Sequence, residues 1–442
     1  MTRPTRGETT ATGAPDDVEE LALGALDWLM KAARDDPGSS TGAGVVWPDT
    51  LADGQVTPRL YDGTSGVLPA LLDAWRYFGD DRYADMALRG ARGVAAAVDD
   101  WEDSGLYAGV AGMAVALRGV HRVLGDAAAG TAADRALDVL RSRYDGAAWN
   151  DWYELISGNA GIALAALECG DLDLALLAVD RYTRTAEPTG AGVRWQLTAG
   201  SFPRMHHMSH GTLGIVHALA AVGRAAGRSD LVDLAVTGAA DVVSRNEAGP
   251  EGFLVGHSDP QQQHERVGRH NYGWCHGPAG DAQAFRLLTH VLPGDPVWPA
   301  LVDRCWHTLV GSGIPRRIRP GFWDNNGRCC GTAGVLALAC DRLVERGDGR
   351  DFADVLVADL AARATVDGGG VRWSNVEHRD VPSVLAPASG WAMGGAGIVR
   401  ELLRHARVTA ERDPRYAVPF PDHPPATGPS PTVDARVRTG GG

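Results

Sequence analysis

Along this chain, stretches that are apolar on every side alternate with stretches that are apolar on one side only. Ile162-Ala163-Leu164-Ala165-Ala166-Leu167 and Ile215-Val216-His217-Ala218-Leu219-Ala220-Ala221 are examples of the first kind, and Val335-Leu336-Ala337-Leu338-Ala339 is another. A helix without a polar face has to be buried all round. Segments 81–98 and 229–245 are of the second kind, with charge and apolar residues mixed at helical spacing. They predict amphipathic, half-exposed helices. The first predicted helix, 18–33, carries Leu21, Leu23, Ala25, Leu26, Leu29 and Met30 at the same spacing.

Each wholly apolar stretch follows a Gly-x-x-Gly turn. The first glycines are Gly63, Gly109, Gly158, Gly211, Gly277, Gly331 and Gly394. The steps between them run from 46 (109 − 63) to 66 (277 − 211) residues, room for two helices and their connections. A fixed grammar at that period marks a repeat architecture. One buried and one half-exposed helix per unit predicts an inner ring inside an outer ring. An open solenoid has the same pattern, but seven units can close, and closure removes the exposed apolar ends. The expectation is an all-α fold, an α/α toroid of seven repeats. All the turns would then lie at one end of the inner helices, where glycine permits close backbone approach and positive φ. The residues just before them would line one mouth: Asp62, Ala108, Ser157, His210, Cys275-His276, Cys329-Cys330 and Met393.

Composition narrows the function. The 442 residues carry a formal charge of −13, which argues against nucleic acid or an anionic membrane as partner, because both select basic surfaces. No apolar run approaches the roughly 20 residues of a bilayer span, and the first residues contain no apolar signal segment. No membrane insertion and a cytoplasmic location are therefore expected. In that compartment the six cysteines serve packing or metal binding rather than disulfides. Cys169, Cys305 and Cys340 fall in helical apolar patterns and are assigned to packing. Residues 1–16 are polar and read as a disordered segment, 17–412 as the toroid, and 413–442, rich in proline and glycine, as a disordered or loosely laid tail. Gln261-Gln262-Gln263-His264 sits in a polar insert, read as a surface loop over the mouth.

The chemistry concentrates in three repeats. Cys275 and the pair Cys329-Cys330 stand just before the turns of adjacent repeats. Alone, a vicinal pair is more often two packed thiols; a vicinal disulfide is strained. The equivalent position of Cys275 points instead to a shared zinc ion at the cavity mouth. Three thiolates leave one open position, the mark of a catalytic centre. His276 is the alternative third ligand. His210 occupies the corresponding slot one repeat earlier and is the candidate general acid or base. Glu154, four residues before the third turn, is either a second catalytic group or a solvated carboxylate, and Asp151 is a weaker candidate beside it. His206 and His207 are expected around the site or at the surface. Asp324, Asn325 and Asn326 are candidates to hydrogen-bond the cysteines. Tyr61, Tyr107, Trp152, Trp274, Trp323 and Trp391 flank turns and would line a peptide groove or pack in the core.

With Ser-His-Gly-x-x-Gly, Trp-Cys-x-Gly-x-x-Gly and Cys-x-Gly-x-x-Gly among seven such turns, the chain resembles the lanthionine synthetase C-like family, the lanthipeptide cyclases, from about residue 20 to 410. The resemblance implies a zinc-containing toroid. Its metal ligands would be Cys275, Cys329 and Cys330, with Cys330 standing where a histidine is usual, as in a subgroup with three thiolates. His210 matches the family's active-site histidine. Glu154 replaces an aspartate often found before the third turn, and Asn271 an arginine. The implied reaction adds a peptide cysteine thiol to dehydroalanine or dehydrobutyrine, forming a thioether ring. A centre of three thiolates carries one more negative charge than one with a histidine, so the bound substrate sulfur should stay more nucleophilic.

The implied substrate is a dehydrated precursor peptide. With no stretch left for a dehydratase or kinase domain, dehydration is expected from a separate dehydratase or kinase/lyase partner. Two other functions fit the same residues: addition of glutathione or another external thiol to dehydroamino acids, and a non-catalytic peptide-binding scaffold.

Overall fold

The computed structural model describes residues 17–36, 44–50, 54–261, 268–378 and 380–425. The expected N-terminal segment, Gln262–His264 of the polar insert and residues 426–442 of the expected tail lie outside them. Among the described residues, fourteen helices form the two rings. The inner ring consists of α2 (Thr64–Phe78), α4 (Val110–Leu124), α6 (Asn159–Glu168), α8 (Thr212–Ala226), α10 (Pro278–Val291), α12 (Thr332–Arg346) and α14 (Gly395–Thr409). The outer ring consists of α3 (Asp81–Ala97), α5 (Ala127–Ser142), α7 (Leu172–Thr185), α9 (Ser229–Val243), α11 (Val297–Gly311), α13 (Asp351–Arg363) and α1 (Val18–Ala32). Each outer helix packs on the inner helix that precedes it, except α1, which packs on α14. Inner helices α14 and α2 also touch, so the first and last repeats close the circle. Short antiparallel strand pairs, such as Arg204–Met205 with Ser258–Asp259, tie the connections together. The fold is the α/α toroid, and no helix among the described residues is long and apolar enough to cross a membrane.

Closure is written in backbone hydrogen bonds at the mouth. Tyr61 N donates to Tyr107 O (3.0 Å), Tyr107 N to Ile156 O (2.9 Å), and Leu155 N to Ser209 O (3.2 Å). The series continues from Ser209 N to Cys275 O (3.1 Å), Trp274 N to Cys329 O (2.9 Å) and Cys329 N to Ala392 O (2.8 Å). Ala392 N then returns to Tyr61 O (2.8 Å). Every turn thus donates to the next, and the last donates to the first. Buried backbone groups need partners, and here each repeat supplies its neighbour's.

The turn glycines serve close approach, but not positive φ. The first glycines are N-caps in extended backbone, with φ from −98° at Gly158 to −168° at Gly277. At every second glycine a Cβ would lie 1.8–2.4 Å from the carbonyl oxygen six residues earlier, from Leu60 O at Gly66 to Trp391 O at Gly397. Contacts that short are impossible, so the loop can fold back over the helix start only when that position has no side chain. Positive φ is used at the other end, where Gly79, Gly125, Gly227 and Gly347 cap inner helices in the left-handed conformation.

The described part of the tail departs from its sequence reading. Residues 413–425 run into the end of the ring opposite the mouth instead of lying loosely. Val418 and Phe420 are buried. Arg400 donates to Val418 O (2.5 Å) and Arg286 to Pro424 O (3.1 Å), while Tyr107 Oη donates to Asp422 (2.7 Å). His423 lies 3.1 Å from Asp341, which also binds Arg286 and Arg404. The inner helices are therefore not apolar throughout: near the tail they carry buried charges that are paired with one another.

Candidate functional site

At the mouth, the turns enclose a cavity of about 330 Å³ lined by Arg59, Tyr61, Ser157, His210, His276 and the three cysteines 275, 329 and 330, among others. Beneath the residues that line it lies an aromatic floor. Tyr107 stacks on Trp391 (4.9 Å between centroids), Trp274 meets both rings edge-on, and Phe420 of the tail packs against Trp391 (5.1 Å). Tyr107, Trp274 and Trp391 thus form the core beneath the mouth. Of the six aromatics next to turns, only Tyr61 borders the cavity; Trp323 is buried and Trp152 lies 40% exposed elsewhere.

Cys275, Cys329 and Cys330 are free thiols whose sulfurs lie within 4.8 Å of one another. Cys330 Sγ is 3.0 Å from Cys275 Sγ and 3.3 Å from Cys329 Sγ. The bond from Trp274 N to Cys329 O holds the two loops in register. Hydrogen bonds from Cys275 and Cys330 hold the Cys329 thiol well below its usual range. This donor set fits zinc: tetrahedral zinc with Zn–S of about 2.3 Å has its sulfurs roughly 3.8 Å apart, a small outward movement from the distances seen. His276 is not part of this group. Its ring stacks on His210 (5.4 Å) and meets His257 (4.2 Å).

His210 Nδ1 lies 2.9 Å from Oε2 of Glu154. A carboxylate can only accept, so Nδ1 carries the proton and Nε2 is left for the cavity. Glu154 is not a solvated carboxylate: its side chain is 1% exposed. It also accepts from Ile156 N (2.8 Å) and Ser157 N (2.7 Å), which fixes it on the third turn. Burial alone would depress the His210 pKa, but the charge and hydrogen bond of Glu154 outweigh it and raise the pKa above 6.5.

Other expected residues fall elsewhere. His206 and His207 are buried, and His207 Nδ1 pairs with Asp281 at 2.9 Å. Asn325 and Asn326 bond Val376 N and Ser374 O, and Asp324 pairs with Arg317 and His378. They brace the cysteine loop against the neighbouring connection rather than touching a sulfur. Asp151 is exposed. Cys305 and Cys340 are buried, and Cys169 is half-buried. Two features went unread in the sequence: the histidine stack through His257, and the hydrogen bond from Tyr61 Oη to Cys329 Sγ at 3.3 Å. The place of Tyr61, immediately before Asp62 of the first turn, was the available signal.

A family model described as lanthionine synthetase C-like protein matches residues 54–266 and 260–354. No curated protein matches. Among solved structures, nisin cyclase superposes with a TM-score of 0.57 at 15% identity, over 88% of this chain and 93% of its own. A protein from Listeria innocua gives 0.51 at 12% identity, over 90% and 99% of the two chains. An unsaturated glucuronyl hydrolase specific for heparin gives 0.51 at 13%, again over 90% and 99%. At these identities the likeness to the three structures concerns the fold alone.

Proposed function

The chain belongs to the lanthionine synthetase C-like family, and on that premise we propose that it is a zinc-dependent cyclase forming lanthionine or methyllanthionine rings in a dehydrated peptide. The observation that carries this reading is the joint presence in one cavity of three convergent thiols and an imidazole held by a carboxylate. A zinc ion on Cys275, Cys329 and Cys330 would supply Lewis acidity, lowering the pKa of a thiol brought to its open position.

The chain's own groups account for the proton. In the reaction the substrate S–H bond breaks and its proton leaves to solvent, sulfur bonds the β-carbon of the dehydro residue, the electron pair of the double bond passes to the α-carbon, and solvent afterwards returns a proton to the imidazole that has donated one. His210, whose hold on a proton Glu154 strengthens against the effect of burial, is the group we assign to deliver a proton there. Glu154 acts through His210: three hydrogen bonds hold its carboxylate, so the ring keeps one tautomer and one orientation. The aromatic floor shuts the cavity toward the tail, which leaves the mouth as the way in for a peptide segment.

The test is incubation of the purified protein with a dehydrated precursor peptide, followed by thiol alkylation and intact mass. Cyclisation leaves the mass unchanged and removes alkylatable thiols. Thiols that remain alkylatable would overturn the reading. A mass increase matching an added free thiol would move the function to intermolecular thiol addition. The dehydro residues have to come from a dehydrating activity that acts on the peptide before this reaction.

A further inference from the structure

Three thiolates around a divalent ion leave a net charge of −1, and this charge would sit among buried residues. A buried charge is costly unless hydrogen bonds satisfy it. Among the described residues, one non-cysteine side chain is hydrogen-bonded to any of the three sulfurs: Tyr61, whose hydroxyl donates to Cys329 Sγ at 3.3 Å. The guanidinium that borders the cavity is already engaged: Arg59 is bonded to Asp62 at 2.9 and 2.6 Å.

Tyr61 is held where it is by parts of the ring remote from the cysteines in sequence. Its N–H donates to Tyr107 O, its carbonyl accepts from Ala392 N, and its ring stands edge-on to Tyr107 at 6.4 Å. These contacts come from the first, second and seventh repeats, whereas the cysteines belong to the fifth and sixth. The hydroxyl is thus aimed at Cys329 by closure of the ring, before any ligand arrives.

We propose that Tyr61 is a positioning residue that offsets the third thiolate: its charge-assisted hydrogen bond withdraws electron density from Cys329, stabilising the three-cysteine centre and strengthening its pull on an incoming thiol. This rests on the zinc reading above. Donation to a ligand sulfur lowers that sulfur's basicity, so protons compete less well with the metal. It also leaves the metal more electron-poor.

The experiment compares wild type, Tyr61→Phe and Tyr107→Phe, each loaded with zinc or with cobalt(II) as a spectroscopic probe. Tyr61→Phe should weaken zinc binding about tenfold in competition with a chromophoric chelator. It should also move the sulfur-to-cobalt charge-transfer band to lower energy, with the melting temperature of the metal-free protein unchanged. Tyr107→Phe removes a hydroxyl bonded to Asp422, not to a cysteine, and should leave the cobalt band where it is. Unchanged affinity and band in Tyr61→Phe overturn the proposal, as does an equal band shift in Tyr107→Phe. A wild type that takes up no metal overturns this and the zinc reading together. One that binds metal but closes no ring overturns the proposed activity while the Tyr61 comparison still reads out.

Discussion

Glu154 and His210 meet at 2.9 Å across 56 residues of sequence, and the carboxylate is the more buried of the two. The partner that sets the charge of the imidazole is therefore shielded from solvent, while the imidazole reaches the cavity. Glu154→Gln keeps the shape and removes the charge. Burial then dominates and the His210 pKa falls. Because the acid form is the working one, the rate of ring closure should begin to drop at lower pH than in wild type, as a pH–rate profile would register. The stability effect has the same sign. A raised folded-state pKa contributes stability below the unfolded value of about 6.5 and loses it as pH rises through the folded value. The deficit of Glu154→Gln should therefore be larger at pH 6 than at pH 9.

His210→Ala should retain zinc and lose ring closure by about 10²- to 10⁴-fold, the usual contribution of a positioned proton donor. Metal analysis beside a cyclisation assay separates the two effects. Normal cyclisation would assign the acid to another group.

Cys275→Ala, Cys329→Ala and Cys330→Ala should each lose zinc, since each leaves two thiolates. Cys330→His restores a neutral centre of two thiolates and one imidazole, and should keep one zinc per chain while slowing ring closure. Elemental analysis and rates on the same preparations check this; full zinc retention in all three alanine variants would remove the site.

At Gly280 an added Cβ would lie 1.8 Å from Trp274 O. Backbone cannot yield that much, so Gly280→Ala should push the Cys275 loop off the start of α10 and lower both melting temperature and zinc content. Gly294 has open space around the same position, and Gly294→Ala is the matched control with little expected change.

Deleting residues after Arg412 exposes the underside of the aromatic floor. Val418 and Phe420 alone contribute about 3–6 kcal/mol of burial, and Arg286 and Arg400 lose carbonyl acceptors. The melting temperature should fall by many degrees in calorimetry. A midpoint equal to that of the full chain would show the segment to be dispensable.

The sequence alone determined the repeat: helices apolar all round and Gly-x-x-Gly turns at a steady period are local signals, dictated by burial and by steric access to the backbone. It also put Cys275 and Cys329 in one slot before their turns, and His210 in the slot that Cys330 takes. What met what was decided by closure. The hydrogen-bond circle through Tyr61, Ser209, Cys275, Cys329 and Ala392 depends on the angle between repeats, which no single repeat encodes. It carries Tyr61 to a sulfur 268 residues away and turns Glu154 inward. The tail shows the same division. Prolines lack N–H donors, so 413–425 reads as unable to pair, yet its carbonyls still accept. The donors are arginines on inner helices, brought to face the tail only once the ring has closed.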